Sequence, residues 1–161
     1  MQSLSHYTQI AYFRRNSAAS QISTHDIDKL DLYGCDFLHV TGIFPAVSKS
    51  ALDAVKRLMS RAKALDMFIS FDPNLRPQLW KDEKEMVRTL NSLAQEADLV
   101  LPGLSEGKIL TKRDTPEGIA EFYHERGVDS ARRYWRPPWR IPKASSLTAP
   151  NSIISLIKPW R

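Results

Sequence analysis

The chain has 161 residues, 42% apolar and 25% charged, enough for one globular domain with a real core. No apolar run approaches the roughly 18 residues that span a bilayer, the N-terminus lacks the basic and apolar regions of a secretory signal, and the single cysteine, Cys35, excludes an intramolecular disulfide and fits a reducing, cytoplasmic setting. The net charge of +5 is unevenly spread: residues 1–128 carry 16 basic and 17 acidic side chains, whereas residues 129–161 carry seven basic side chains and one acid, Asp129.

Residues 7–13 read as a strand ending in Arg14 and Arg15, and residues 16–20 as a small, polar turn or helix start. The Thr24-His25-Asp26 run offers an N-cap for a short helix through Leu32. Residues 36–40 form a second strand closed by Thr41 and Gly42. Ser48-Lys49-Ser50 caps a helix from about Ala51 to Leu65, in which Leu52, Val55, Leu58, Met59 and Ala62 recur at helical spacing. Residues 67–71 form the third strand. A helix then starts near Asp82, with Met86, Val87, Leu90, Leu93 and Ala94 on one face. Residues 99–101 are a short strand stopped by Pro102 and Gly103, and residues 105–110 a short helix. A last helix enters at Thr115-Pro116-Glu117, runs to Tyr123–Arg126, and is ended by Gly127. Strands alternating with 10- to 15-residue helices predict an α/β fold of parallel βαβ units.

Three loops follow the first three strands, and in a parallel sheet those ends share one rim, where ligands bind. One carries Arg14 and another Thr41-Gly42. The third, Asp72-Pro73-Asn74-Leu75-Arg76-Pro77, sets an acid, an amide and a guanidinium on alternate residues, which aims all three the same way if strand periodicity persists. Two prolines stiffen it and remove two backbone donors. Arg14 and Arg76 together suit a small acidic ligand, because the guanidinium fork grips a carboxylate bidentately. Tyr12 lies beside Arg14 as a hydroxyl or stacking partner. The bland alternative is a capping turn with solvated strand-end arginines. His6, His25, His39 and His124 show no metal-ligand spacing with Cys35 or one another. Cys35 is expected as a core thiol, His39 as a satisfied core or rim histidine, and Lys56, Arg57, Arg61 and Lys63 as a solvated helix face. Ser17 and Ser20 have no base arrangement that would make either a nucleophile.

The run Tyr12-Phe13-Arg14-Arg15-Asn16-Ser17-Ala18-Ala19-Ser20 resembles the Y-Y-R-x-x-S-A-A-S segment of the 2-keto-3-deoxygluconate (2-dehydro-3-deoxygluconate) kinase branch of the ribokinase-like, or PfkB, carbohydrate kinases. Residues 38–46, 71–76, Leu79-Trp80, 97–106 and Thr115-Pro116-Glu117 resemble further family segments in the right order. The resemblance covers residues 7–128, the middle of a family member about twice this length. It implies part of a ribokinase-like parallel sheet flanked by helices, incomplete in this chain. It also implies a sugar or sugar acid as substrate, ATP and Mg²⁺ as cofactors, an intact family member that can be a homo-oligomer, and no nucleic-acid or membrane partner. Arg14 and Arg76 would hold the substrate carboxylate and hydroxyls, with Tyr12 beside them and Asp72 and Asn74 shaping the rim. The family's N-x-x-E element, which organises Mg²⁺ and phosphate, falls on residues 103–106: Glu106 matches, while Gly103 replaces the asparagine.

Phosphoryl transfer needs a base and a phosphate cradle, which the family places in a Gly-Ala-Gly-Asp run. Gly127 is the last glycine here, so no such run follows. The family's N-terminal Gly-Gly-Asp segment and lid strands are absent as well. The chain is therefore expected to keep part of a sugar site and to be inactive alone.

Residues 129–161 are a basic tail with five of the ten prolines, three of the four tryptophans and none of the six glycines. Tryptophan has one codon, TGG, so each Trp-Arg pair, Trp135-Arg136 and Trp139-Arg140, becomes glycine when read one base later. The shifted frame permits Thr-Gly-Gly-Pro-His-Gly-Gly-Tyr, which resembles the family's L-G-P-E-G-A-Y turn. The expectation is a partial kinase domain over residues 1–128, and a disordered or non-native tail read out of frame. A competing reading has the Trp/Arg tail contacting single-stranded nucleic acid or an anionic membrane. Another is a non-catalytic sugar-acid-binding module, whose uncovered sheet edges and apolar faces would limit solubility.

Overall fold

The computed structural model describes residues 17–128. The strand expected over 7–13, with Tyr12 and Arg14, and the tail from 129 onward lie outside the described residues.

Three parallel strands, β1 (Phe37–Thr41), β2 (Phe68–Asp72) and β3 (Leu99–Val100), lie side by side in chain order. Phe37 pairs with Phe68, Thr41 with Asp72, and Ser70 with Leu99. β3 has only two residues, yet the pairing extends beyond it. The Asp98 N–H donates to the Ile69 carbonyl (2.9 Å), and the Asp98 carboxylate accepts the Ile69 N–H (2.7 Å).

Among the described residues, six α-helices flank the strands: α1 (Ala18–Gln21), α2 (Thr24–Asp28), α3 (Lys49–Ala64), α4 (Glu83–Ala94), α5 (Leu104–Thr111) and α6 (Pro116–His124). Their starts follow local chemistry. Ser48 Oγ accepts the Ala51 N–H, Asp82 Oδ1 the Glu85 N–H, and Thr115 Oγ1 the Gly118 N–H, each satisfying an orphan donor of a first turn. α3 and α4 bury most of the predicted stripes, Val55, Met59 and Ala62 on one and Met86, Leu90, Leu93 and Ala94 on the other, with Leu52, Leu58 and Val87 half-buried. With Val40, Ile69, Phe71, Leu75 and Val100 they form one core.

The two sheet faces differ. Val40, Ile69 and Phe71 point into the core, whereas Phe37 (55% exposed), His39 and Phe68 (40% exposed) lie on the other, open face. The Phe37 and Phe68 rings stack there with centroids 5.6 Å apart.

Three expectations change. The second helix begins on Ser23, whose N–H and hydroxyl both donate to Asp26, and it stops at Asp28 rather than Leu32. Around its end the Arg61 guanidinium donates to the Ile27 carbonyl and to the Leu30 carbonyl just beyond it. Arg61 is thus a clasp between α2 and α3 and not part of a solvated face, and Arg57 and Lys63 pair with Asp28 and Glu96. Cys35 is exposed, because it sits in the turn before β1 and not in the strand, so it is not a core thiol. His39 is hydrogen-bonded as expected, its Nδ1 2.7 Å from Ser70 Oγ, but it lies exposed in mid-strand on the open face and not in the core or at the rim.

Candidate functional site

The C-terminal ends of β1, β2 and β3 form one rim, which also receives the N-termini of α3 and α5. Asp72, Asn74, Arg76 and Glu106 meet there. Strand geometry stops at Asp72, and Asn74 adopts the left-handed conformation (φ 40°) that asparagine tolerates better than most residues. The expected alternation nevertheless survives in burial. Phe71, Pro73 and Leu75 are buried, while Asp72, Asn74 and Arg76 are half-buried and face the rim.

Hydrogen bonds hold this loop in place. The Gly42 N–H donates to the Asp72 carbonyl (2.8 Å), fixing the exit of β2 against the exit of β1. Asp72 Oδ1 accepts the Asn74 N–H (3.1 Å). Glu106 Oε1 accepts the Leu75 N–H (2.8 Å), and its Oε2 accepts the Gly103 N–H (3.0 Å). Arg76 Nη1 donates to the Leu75 carbonyl (2.7 Å). Gly103 through Glu106 thus forms the backbone half of a capping box, a spacing visible in the sequence. The bond from Glu106 to Leu75 spans 31 residues and carries no local sequence signal.

Desolvation and the Glu106 carboxylate raise the Asp72 pKa above the usual aspartate range. A raised native pKa means the folded state binds the proton more readily than the unfolded chain. The charged form at neutral pH therefore opposes folding, and the opposition disappears once pH falls below the ordinary aspartate value. Asp72→Asn keeps an oxygen for the Asn74 N–H and removes the charge. It is expected to melt higher than the parent at pH 7, with the difference closing as pH is lowered through the carboxylate range. Thermal unfolding across pH 3–8 measures this, and a difference independent of pH would contradict it.

Thr41 Oγ1, at the end of β1, and Trp80 Nε1, just beyond the loop, are buried without hydrogen-bond partners. Tyr12 and Arg14 fall outside the described residues. The described chain begins at Ser17, and the nearby Ser20 carbonyl accepts from Ser48 Oγ (2.9 Å) and Ser50 Oγ (3.2 Å) at the N-terminus of α3, on the same rim.

Among the described residues, no group of three or more His, Cys, Asp or Glu side chains is placed to hold a metal ion. Glu106 is the single carboxylate at the expected position. Both its oxygens accept backbone N–H groups, and residue 103 has no side chain to help. These residues do not by themselves make a Mg²⁺ site. Among the described residues, no helix is long and apolar enough to cross a membrane.

The profile described as pfkB family carbohydrate kinase matches residues 2–131. A curated relative, 2-dehydro-3-deoxygluconokinase of Bacillus subtilis, is 46% identical over 121 residues, covering 74% of this chain and 37% of its own length. The crystal structure of a PfkB protein from Polaromonas sp. JS666 superposes with a TM-score of 0.72 at 43% identity, covering 78% of this chain and 42% of that one. A putative ribokinase II from E. coli, solved in complex with ATP and Mg²⁺, superposes with a TM-score of 0.60 at 31% identity over 70% of this chain and 36% of its own. The chain thus spans well under half the length of the relatives it matches.

Proposed function

Because the chain belongs to the pfkB family of carbohydrate kinases, we propose that it supplies the sugar-facing rim of a kinase for 2-dehydro-3-deoxygluconate or a related sugar acid. The observation that carries this reading is the half-buried Arg76 guanidinium at the rim, with Asp72 and Asn74, likewise half-buried, on the same side of a loop pinned by its backbone. Arg76, joined by Arg14, pairs with the ligand carboxylate. Asp72 accepts from ligand hydroxyls, and Asn74 both donates and accepts. Tyr12 adds a hydroxyl or a stacking face.

In the intact family ATP supplies the phosphoryl group, with Mg²⁺ on its phosphates. The 161 residues contain no Gly-Ala-Gly-Asp run to cradle that group or deprotonate the attacking hydroxyl. We therefore assign binding of the sugar acid to this chain, without turnover of ATP by the chain alone and without a nucleic-acid or membrane partner.

Calorimetry with 2-dehydro-3-deoxygluconate, beside fructose as a neutral sugar, tests the binding. The acid is expected to bind more tightly. Arg76→Ala is expected to weaken it about tenfold or more, the worth of a hydrogen bond between charged groups. A coupled ADP-release assay is expected to show no activity above background. Equal affinity for the neutral sugar, or a kinase rate from the chain alone, would refute the respective half of the proposal.

A further inference from the structure

We infer that Glu106 is a positioning residue for the sugar-acid site, tying the ligand-facing loop to α5 and so setting where Arg76 presents its guanidinium. This rests on the sugar-acid reading above. Among the described residues, the Leu75 N–H to Glu106 bond is the hydrogen bond that joins residues 73–76 to another element of the fold. The rest of that stretch bonds locally: Asn74 to Asp72, Arg76 Nη1 to the Leu75 carbonyl, and the Leu79 N–H to the Arg76 carbonyl. Pro73 and Pro77 have no N–H to offer. Both peptide groups of Leu75 are therefore engaged. Its N–H is held by Glu106, and its carbonyl holds the guanidinium of Arg76. A displacement of Leu75 carries the Arg76 head with it.

Three features favour a fixed position over a loose tether. The Leu75 side chain is buried in the core. Asn74 is held in a left-handed conformation that few neighbouring backbone states can replace. The second oxygen of Glu106 is fixed by the Gly103 N–H at the start of α5, so the carboxylate is itself oriented. Glu106 lies on a helix following β3, whereas Arg76 lies on a loop following β2. One carboxylate thus registers two neighbouring crossover loops against each other, which is what a ligand bridging them requires.

The test uses the 161-residue chain. Amide exchange at Leu75 is followed by NMR, and affinity for 2-dehydro-3-deoxygluconate by calorimetry, for the parent, Glu106→Ala, Glu106→Gln and Thr115→Ala. Thr115→Ala removes the cap of α6 and lowers the melting temperature without touching the rim. Glu106→Ala is expected to speed Leu75 exchange and weaken sugar-acid binding, each about tenfold, the effect of one lost hydrogen bond. Thr115→Ala should leave both unchanged. Glu106→Gln keeps one carbonyl oxygen to accept an N–H, and it is expected to fold and to lie between parent and alanine variant. It decides the matter if Glu106→Ala does not fold. Affinity unchanged in both Glu106 variants overturns the positioning role alone. So does an equal loss of affinity in Thr115→Ala, because Glu106 would then act only through stability. A parent that binds no sugar acid overturns the earlier reading and this one with it.

Discussion

Gly42→Ala is expected to destabilise the fold by about 3 kcal/mol, the upper range for forcing an atom into a packed interior. A Cβ on residue 42 would lie 2.1 Å from the Pro73 carbonyl oxygen and 2.9 Å from Leu90 Cδ2. The first neighbour is backbone, in a loop held by its proline rings and by Glu106, so it cannot swing away as a flexible side chain would. Relief requires β1 and β2 to part at their ends, which breaks the Gly42 N–H to Asp72 bond. Urea unfolding monitored by circular dichroism reads the loss directly. The same substitution displaces Asp72 and Asn74, so sugar-acid binding should fall in conditions where the variant is still folded. An unchanged unfolding midpoint would mean that the two strand exits do not approach each other this closely.

Asn91→Leu is expected to lower stability by about 2–4 kcal/mol, because it orphans two buried polar groups at about 1–3 kcal/mol each. Asn91 Nδ2 donates to the Leu110 carbonyl (2.8 Å), and its Oδ1 accepts the Tyr123 hydroxyl (3.1 Å). One amide thus stitches α4 to α5 and α6. The hydroxyl has no cheap alternative. Tyr123 is almost fully buried, and desolvation pushes its ionisation above the ordinary tyrosine range, so it is a neutral donor at neutral pH. Adding Tyr123→Phe removes one of the two orphans. The double variant should therefore be more stable than Asn91→Leu alone by roughly 1 kcal/mol, a non-additivity that a double-mutant cycle measures. Strict additivity would show that the hydroxyl and the amide do not interact.

These two sites show what could and could not be read from the sequence. The strands, the long helices and their caps were legible because their signals are local. Ser48 and Asp82 sit three residues before the amides they satisfy, and Met86, Leu90 and Leu93 repeat at the helical period. The Asp72-Asn74-Arg76 alternation was legible for the same reason, and it persists past the end of the strand because Pro73 and Leu75 still have a core to enter. Three features were not legible, since each depends on partners far off in sequence, 19 to 34 residues away. These are the clasp of Arg61 on α2, the amide of Asn91 between three helices, and the grip of Glu106 on Leu75. Cys35 was misplaced because it is next to a strand in sequence but is carried outward by the turn at Gly34, which has a positive φ. The roles of Tyr12 and Arg14 rest on resemblance, since both lie outside the described residues.

The strand order has a kinetic consequence. Each strand pairs with the one synthesised just before it, and the connecting helix lies between them in sequence. Among the described residues the pairing follows chain order, with about thirty residues between paired positions, so the sheet can grow in one direction as the polypeptide leaves the ribosome. Ribosome-arrested chains of increasing length should acquire protease resistance in two steps, first when α3 and β2 have emerged and again when α4 and β3 have.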